Sequence, residues 1–277
     1  MTPDEYCQRK AASSGSSFYY SFVFLARERR RAITALYAFC REVDDVVDEG
    51  MDLELASAKL GWWRAEVANL FAGKAQHPVT RALEPFREKF SLSAARLNEI
   101  IDGMEMDLSQ SRYLDWRGLE TYCYRVAGVV GLLAAGIFGY RDARTLDYAR
   151  NLGIAFQLTN IIRDVGEDAR KNRVYLPIED LQRFGVGASD ILQSRETPQF
   201  RELMQFQAER ARSYYGDALA TLPGEDRRAQ RPGLIMAAIY RSLLDEIERD
   251  GFKVLAQRTS LTPLRKFWIA WRTWVSA

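Results

Sequence analysis

The sequence predicts an all-α fold. Apolar residues recur at helical spacing along most of the 277 residues, and the alternation of apolar and polar residues that is typical of strands is scarce. Apolar residues make up 47% of the chain, which is enough for a substantial core, and no long linker divides it. We therefore expect one helical domain over residues 1–277.

The predicted helices are bounded by glycine, proline and serine residues. Ser93 stands directly before an apolar helical stretch and is expected to cap its N-terminus. The breaks lie, in order, at Gly50, Gly73 to Pro78, Ser91 to Ser93, Gly139, Gly185 to Ser189, Pro198, Pro223-Gly224 and Pro263. Helices are expected at residues 28–49, 53–72, 78–90, 93–110, 115–138, 142–167, 198–221, 230–250 and 263–275, with a shorter one near 18–25.

The composition argues against several classes of protein. The net charge is only +2, so no broad surface for nucleic acid is expected. Cys7, Cys40 and Cys123 contain no CxxC pair and are expected to be reduced thiols. His77 is the only histidine, and we expect it at the surface of a loop. A single histidine argues against zinc sites, histidine-based triads and ferritin-like di-iron centres.

Two acidic pairs of equal spacing stand out. Asp44 and Asp48 form the first pair, and Asp164 and Asp168 form the second. A spacing of four places both carboxylates of a pair on one helix face. Taken alone, either pair is equally consistent with a functional site and with an ordinary solvated helix face. The large apolar residues beside each pair favour a metal site instead. Like charges one turn apart, and carboxylates among apolar residues, destabilise the protein unless a bound cation compensates their charge. Two such faces opposed across a cavity would suit Mg²⁺ shared with substrate phosphates.

Several motifs, in the same order, resemble those of the squalene/phytoene synthases. They are Ser-Ser-Phe-Tyr-Tyr-Ser-Phe at 16–22, Asp-Asp-Val-Val-Asp at 44–48, Tyr-Arg-Val-Ala-Gly-Val-Val-Gly at 124–131, Asn-Ile-Ile-Arg-Asp-Val-Gly-Glu-Asp at 160–168 and Tyr-Arg-Ser-Leu-Leu-Asp-Glu-Ile at 240–247. Within the family, the chain most resembles the bacterial presqualene diphosphate synthases of hopanoid pathways. The resemblance implies one catalytic domain with the isoprenoid-synthase fold, a helical bundle around a central cavity.

The resemblance implies a Mg²⁺-dependent prenyltransferase, with Mn²⁺ as an alternative metal. Two farnesyl diphosphates would join head to head into presqualene diphosphate, without NADPH, and a downstream pathway enzyme would take the product. The alternatives within the family are dehydrosqualene or phytoene synthase, which leaves C15 and C20 substrates open, and complete squalene synthesis. A non-catalytic helical lipid-binding or assembly protein is the alternative from another class, and the two intact acidic motifs argue against it.

The expected site residues fall into three groups. The metal ligands are Asp44, Asp48, Asp164 and Asp168, and the resemblance adds Asn160. Tyr37 and Arg41 are further catalytic candidates. The substrate-binding candidates, mostly from the resemblance, are Ser16, Ser17, Phe18, Arg41, Gly128, Gln157, Asn160, Arg163, Tyr240 and Arg265.

Some of these residues have a second interpretation. Each arginine in the set can instead form an ion pair with an acid on its own helix. The glycines around Gly128 allow either tight helix packing or a prenyl tail lying along the backbone, and the resemblance favours the tail. The basic segment 168–177 is either an ordinary loop or a lid that brings Arg170, Lys171 and Arg173 to a diphosphate.

The sequence predicts a cytoplasmic protein. The N-terminus is polar and acidic, unlike a signal peptide, and the longest apolar run, 126–140, is shorter than a membrane span. At the C-terminus, Trp268, Trp271 and Trp274 stand among Arg265, Lys266 and Arg272. These indoles either cap the end of the bundle or contact the inner face of the cytoplasmic membrane as a peripheral anchor.

Overall fold

The regular secondary structure of the computed structural model is helical throughout the described residues, which are 1–13, 21–48 and 52–276. The side chain of Asp48 lies outside this description. Within it, the one strand-like feature is an isolated bridge between Arg112 and Val174. The predicted all-α fold is therefore confirmed.

The α-helices match the predicted ones closely along most of the chain. They are α1 (Pro3–Ser13), α2 (Arg27–Asp48), α3 (Leu53–Phe71), α4 (Pro78–Leu83), α5 (Ala94–Ser109), α6 (Trp116–Cys123), α7 (Val129–Phe138), α8 (Arg144–Arg170), α9 (Ile178–Arg183), α10 (Ala188–Leu192), α11 (Pro198–Thr221), α12 (Arg231–Arg249) and α13 (Pro263–Ser276). Ser93 caps α5 by accepting a hydrogen bond from the Arg96 amide.

Three regions differ from the prediction. Helix α4 ends at Leu83, because Pro85 cannot continue the hydrogen-bond ladder and a 3₁₀ turn follows. The short helices α9 and α10 have too few residues to show a helical period. Of the helix expected near 18–25, residues 18–20 lie outside the described residues, and in the rest only Ser21 and Phe22 are helical before a turn follows.

Helix α1 was not predicted because its attachment is electrostatic. Cys7 is its buried residue, so the apolar stripe that reveals a packed helix is missing. Lys10 instead pairs with Glu42 and Asp45 of α2 at 3.0 and 2.7 Å, and the Tyr6 hydroxyl donates to Glu42 at 2.7 Å. These partners lie more than 30 residues away, so only the tertiary structure brings them to α1.

Two apolar cores meet in the molecule. One surrounds α8, α11 and α12, and the other is built from α2, α3, α4 and α5. Tyr124 and Val126 pack against both cores. They lie in a single π-helical turn, Tyr124–Gly128, that joins α6 to α7. Such turns often occur at functional sites.

Helix α8 and the α6–α7 helix touch through their backbones. A Cβ atom on Gly131 would lie 2.3 Å from the Ala149 carbonyl oxygen, and one on Gly153 would lie 2.3 Å from that of Ala127. Because neither carbonyl can move without bending a helix, glycine is required at both positions. Tight helix packing, one of the two interpretations of this glycine-rich stretch, is therefore present.

The continuous helix 116–138 is long and apolar enough to span a membrane by length and composition, although the apolar run was expected to be too short. Half of its most apolar window is buried inside the protein. It packs against α8 through α7 and the π-helical turn, and the core helix of a soluble protein gives the same signal.

His77 is not the exposed loop residue that the sequence indicated. It is half-buried and is the N-cap of α4, where its Nδ1 accepts from the Val79 amide at 3.2 Å. Its ring lies edge-on against Tyr6, Trp62 and Trp63. Burial lowers the pKa of this imidazole, which favours the neutral ring that accepts the capping hydrogen bond.

We expect Gly153→Ala to destabilise the fold by about 1–3 kcal/mol, since the added methyl group meets a backbone carbonyl. Gly216→Ala is the matched control on α11, where a Cβ atom meets nothing within 4 Å. It should stabilise the protein by about 0.5–1 kcal/mol through helix propensity. Urea unfolding of both variants measures the difference, and equal stability of the two would contradict the close backbone contact.

Candidate active site

An apolar cavity lies where the two cores meet, and the space inside it is about 940 Å³ when its opening to solvent is included. One wall is α2, which contributes Ile33, Leu36, Tyr37 and Cys40, and the α6–α7 helix contributes small residues around Gly131. The opposite wall is α8. Gln230, Pro232, Gly233 and Met236 contribute further lining, together with Phe22 and Phe138.

The α8 wall changes character along its length. Tyr148, Leu152, Phe156 and Asn160 line the cavity at intervals of four, so they form one inclined row that winds slowly round the helix. The same row continues to Asp164 and Asp168. The helix thus presents a stripe that is apolar along the cavity and polar at one end.

The first acidic motif continues the α2 wall by one turn. Arg41 donates to Asp44 at 2.6 Å and to Asp45 at 2.8 Å. Asp45 also pairs with Lys10 of α1 at 2.7 Å. Asp44 and Asp45 therefore lie at the same end of the cavity wall as Tyr37. The intrahelical ion pair considered for Arg41 is present.

More positive charge lies beside the second acidic motif than the neighbouring residues in the sequence indicate. Arg163 makes a two-pronged contact with Asp164, and the Arg258 Nε atom donates to the same carboxylate at 2.8 Å. Arg258 also lies 3.4 Å from Glu167. Burial alone would raise the pKa of Asp164, but Arg163 and Arg258 hold this pKa below its ordinary value.

At Asp168 the influences that raise the pKa outweigh those that lower it. Burial, together with the neighbouring charge of Asp164, raises the pKa of Asp168 to about 7, although Lys171 and Arg173 act to lower it. An additional nearby cation would therefore stabilise the charged form of Asp168 more than that of Asp164.

Two tyrosines border the polar end of the cavity. Tyr240 is buried, and its ring lies 4.9 Å from that of Phe156. The Tyr240 hydroxyl contacts Arg163, and Tyr37 of the opposite wall lies close enough to influence the pKa of Tyr240. Burial raises the pKa of Tyr240, so the phenol is neutral and can donate a hydrogen bond at neutral pH. Tyr37, Arg163 and Tyr240 therefore lie near one another, and their contact with a diphosphate stays a prediction.

The donor atoms at this end suit a hard divalent cation. Asp44, Asp164 and Asp168 supply carboxylate oxygens, and the buried Asn160 Oδ1 atom finds no hydrogen-bond donor among the described residues. Oxygen ligands of this kind favour Mg²⁺. In the part of the chain that the structure describes, no three His, Cys, Asp or Glu side chains converge on one point. The donor set fits a metal shared with a substrate better than a closed protein cage.

Two predicted substrate-binding residues lie elsewhere. Gly128 is not in the cavity lining; it faces α8, where an added Cβ atom would lie 3.5 Å from the Arg150 carbonyl oxygen. Arg265 is exposed and pairs with Glu246 of α12 at 2.6 Å. Gly128 therefore serves helix packing, and Arg265 forms a surface ion pair. Ser16, Ser17, Phe18 and the side chain of Asp48 lie outside the described residues.

Arg258 and Lys266 are the basic residues that sequence reasoning missed at this site. Burial, together with the charges of Arg163 and Arg258, lowers the pKa of the Lys266 ammonium, which places this side chain near the second acidic motif. Arg258 lies in an irregular loop that carries no periodic signal. Lys266 was grouped with the exposed C-terminal indoles, and only the packing of α13 turns it inward.

The basic segment 168–177 is hydrogen-bonded to the last turn of α5 and to the segment that follows it. The Val174 amide donates to the Ser111 carbonyl at 3.2 Å, Arg112 donates to the Asn172 carbonyl at 2.7 Å, and the Tyr175 hydroxyl donates to Asp107 at 2.9 Å. The loop is thus held beside Asp168. Whether it acts as a lid stays a prediction.

Known proteins resemble this chain along most of its length. The squalene/phytoene synthase family model matches residues 11–265. The phytoene synthase of Arthrospira platensis is 36% identical over 95% of this chain and 89% of its own length. The 15-cis-phytoene synthase of Synechocystis sp. is 35% identical over 96% and 84%.

Two solved structures share the fold. A dehydrosqualene synthase crystallised with a ligand superposes with a TM-score of 0.88 at 29% identity, covering 99% of this chain and 96% of that one. A squalene synthase from Alicyclobacillus acidocaldarius superposes with a TM-score of 0.81 at 29% identity, covering 90% of this chain and 94% of that one.

We expect Arg258→Gln to raise the pKa of Asp164, because one of two guanidinium groups that stabilise the charged carboxylate is removed. Carbon-13 NMR of labelled aspartate, without added metal, measures the titration, and Asp164→Asn identifies the signal. Arg265→Gln is the control, since Arg265 pairs with Glu246. An equal shift in both variants, or none in Arg258→Gln, would contradict the contact.

Proposed function

The chain belongs to the squalene/phytoene synthase family, whose members are prenyltransferases, and we propose that it joins two prenyl diphosphates head to head. One observation carries the proposal: a single row of side chains on α8, spaced by four, is apolar along the cavity from Tyr148 to Phe156 and polar from Asn160 to Asp168. A prenyl diphosphate has the same division into an apolar chain and a charged end.

The cavity is long enough for such a chain. Tyr148 and Asn160 are twelve residues apart on α8, which corresponds to about 18 Å along the helix. With bonds of about 1.5 Å, the extended 12-carbon backbone of a farnesyl group spans roughly 14 Å and the 16-carbon backbone of a geranylgeranyl group roughly 19 Å. A C15 tail fits with room to spare, and a C20 tail would reach the turn at Tyr148.

The charged end would receive the diphosphate. Arg41, Arg163 and Arg258 supply forked donors that suit phosphate oxygens, and Lys266 lies near two of them. When bound by Asp44, Asp48, Asn160, Asp164 and Asp168, Mg²⁺ or Mn²⁺ would neutralise the charge that develops on the diphosphate.

The proposed reaction has two stages. The allylic C–O bond of the donor breaks, and its electron pair leaves with diphosphate. The double bond of the acceptor then attacks the allylic cation, and loss of one proton closes a cyclopropane ring. Phe22 and Phe156 line the cavity, where their ring faces stabilise positive charge without acting as nucleophiles. We assign the proton to the released diphosphate, because its oxygens carry the negative charge that a base requires and it leaves beside the cation.

For the substrate we propose farnesyl diphosphate, with presqualene diphosphate as the product that a downstream enzyme takes without NADPH being consumed here. The order and content of the sequence motifs support this assignment. Phytoene synthesis from C20 substrates is the second candidate, favoured by the similarity to the phytoene synthases of Arthrospira platensis and Synechocystis sp. and by the length of the cavity.

Activity should require both acidic motifs. Asp44→Asn and Asp164→Asn each remove a charge and little volume, so we expect turnover to fall roughly 10²-fold or more while circular dichroism stays unchanged. Asp217→Asn is the control, because Asp217 is exposed on α11. Near-normal rates in Asp44→Asn or Asp164→Asn, or full activity in EDTA, would refute the proposed site.

Product analysis distinguishes the candidates. We expect the pure protein with Mg²⁺ and radiolabelled farnesyl diphosphate to accumulate presqualene diphosphate, with or without NADPH. Squalene formed in good amount with NADPH would show that the reaction continues further. A C40 product made from geranylgeranyl diphosphate faster than any C30 product would establish the phytoene assignment instead.

A further inference from the structure

The outward face of α13 is apolar. Five large side chains on it are exposed to solvent: Leu264 (84%), Phe267 (54%), Trp268 (57%), Trp271 (45%) and Val275 (65%). The Trp268 and Trp271 rings stack at 5.2 Å. Exposed apolar side chains gathered in this way mark an interaction site more often than scattered ones do.

The five residues form one stripe. At 100° per residue, their positions fall within an arc of about 100° on the helix. Helices normally turn such an arc toward the core. Here the core contact is made by other residues: Ile269 and Ala270 are buried, and Trp274 stacks on Phe24 at 5.0 Å. The exposed stripe is therefore a second apolar face, which the fold does not use.

The C-terminal region is uniformly basic. Residues 251–277 contain no aspartate or glutamate and include Lys253, Arg258, Arg265, Lys266 and Arg272. Arg272 lies at about 80° from Leu264 on the helical wheel, so it follows one edge of the stripe, whereas Arg265, at about 100°, is paired with Glu246. This arrangement complements an anionic surface, and tryptophan beside arginine suits the headgroup boundary of a bilayer.

We propose that the stripe of Leu264, Phe267, Trp268, Trp271 and Val275 docks the protein on an anionic lipid surface, with the axis of α13 parallel to the membrane plane. The family model ends at residue 265, so most of the stripe lies outside the region that the model matches. The docking does not depend on the proposed reaction.

Docking by this face would hold the polar end of the cavity close to the lipid. The stripe and Lys266 are on different sides of the same helix. Lys266 lies close enough to Arg163 and Arg258 for their charges to lower its pKa. The diameter of a helix with its side chains is about 10 Å, so the membrane surface and the charged cluster are separated by little more than α13 itself.

Sedimentation of the full chain with vesicles tests the proposal. We expect binding to vesicles of phosphatidylcholine and phosphatidylglycerol at low salt, weaker binding to phosphatidylcholine alone, and release as salt screens the charges. The partition coefficient of a Trp268→Ser/Trp271→Ser variant onto these vesicles should fall on the order of tenfold or more. Trp62→Ser is the matched control, since it removes an equally exposed indole from α3, and it should bind like the wild type.

A second readout guards against misfolding of the double variant. Brominated lipids should quench the tryptophan fluorescence of the wild type, and Arg272→Gln should bind more weakly at low salt while keeping the wild-type circular dichroism. Equal sedimentation of a folded double variant would overturn the proposal, as would no binding to any vesicle. Concentration-dependent dimerisation without lipid that the double variant loses would assign the stripe to a second copy of the chain instead.

Discussion

The structure depends on placing buried carboxylates beside an apolar cavity without leaving their charge uncompensated. Asp164 and Asp168 lie on α8, which is buried along much of its length, and burying an isolated carboxylate is costly. Arg163 and Arg258 compensate Asp164 directly, whereas Asp168 keeps a raised pKa. This difference between neighbouring acids defines a region where further positive charge is favourable. A substrate that arrives with a divalent cation would supply it.

The same helix also borders an apolar cavity, and its backbone packs closely against the neighbouring helix. Glycines at the contact between α8 and the α6–α7 helix bring the two backbones together, and Gly131 and Gly153 also border the cavity. Small residues thus serve both helix packing and the shape of the cavity. The packing interpretation of the glycine-rich stretch is therefore confirmed, whereas a prenyl tail along it stays a proposal, and Gly128 itself takes part only in packing.

Helix α13 links the charged cluster to the outside of the molecule. Its inner side holds Lys266 near the second acidic motif and stacks Trp274 on Phe24, while Trp268 and Trp271 remain exposed. The three indoles do not share one side, because a spacing of three moves each by about 60° around the helix. Both interpretations of the C-terminal tryptophans consequently have a physical basis: one indole closes the bundle, and two face solvent.

The sequence by itself determined the helical architecture, most helix ends and the two acidic motifs with their neighbouring arginines, because these follow from local periodicity, capping and spacing. The tertiary structure alone decided which distant groups meet them. Arg258 reaches Asp164 across 94 residues of sequence, Arg265 turns away to Glu246, and α1 is held by charges on α2. None of these contacts has a periodic signature, since a salt bridge between distant segments depends on how helices pack and not on the residues beside each partner.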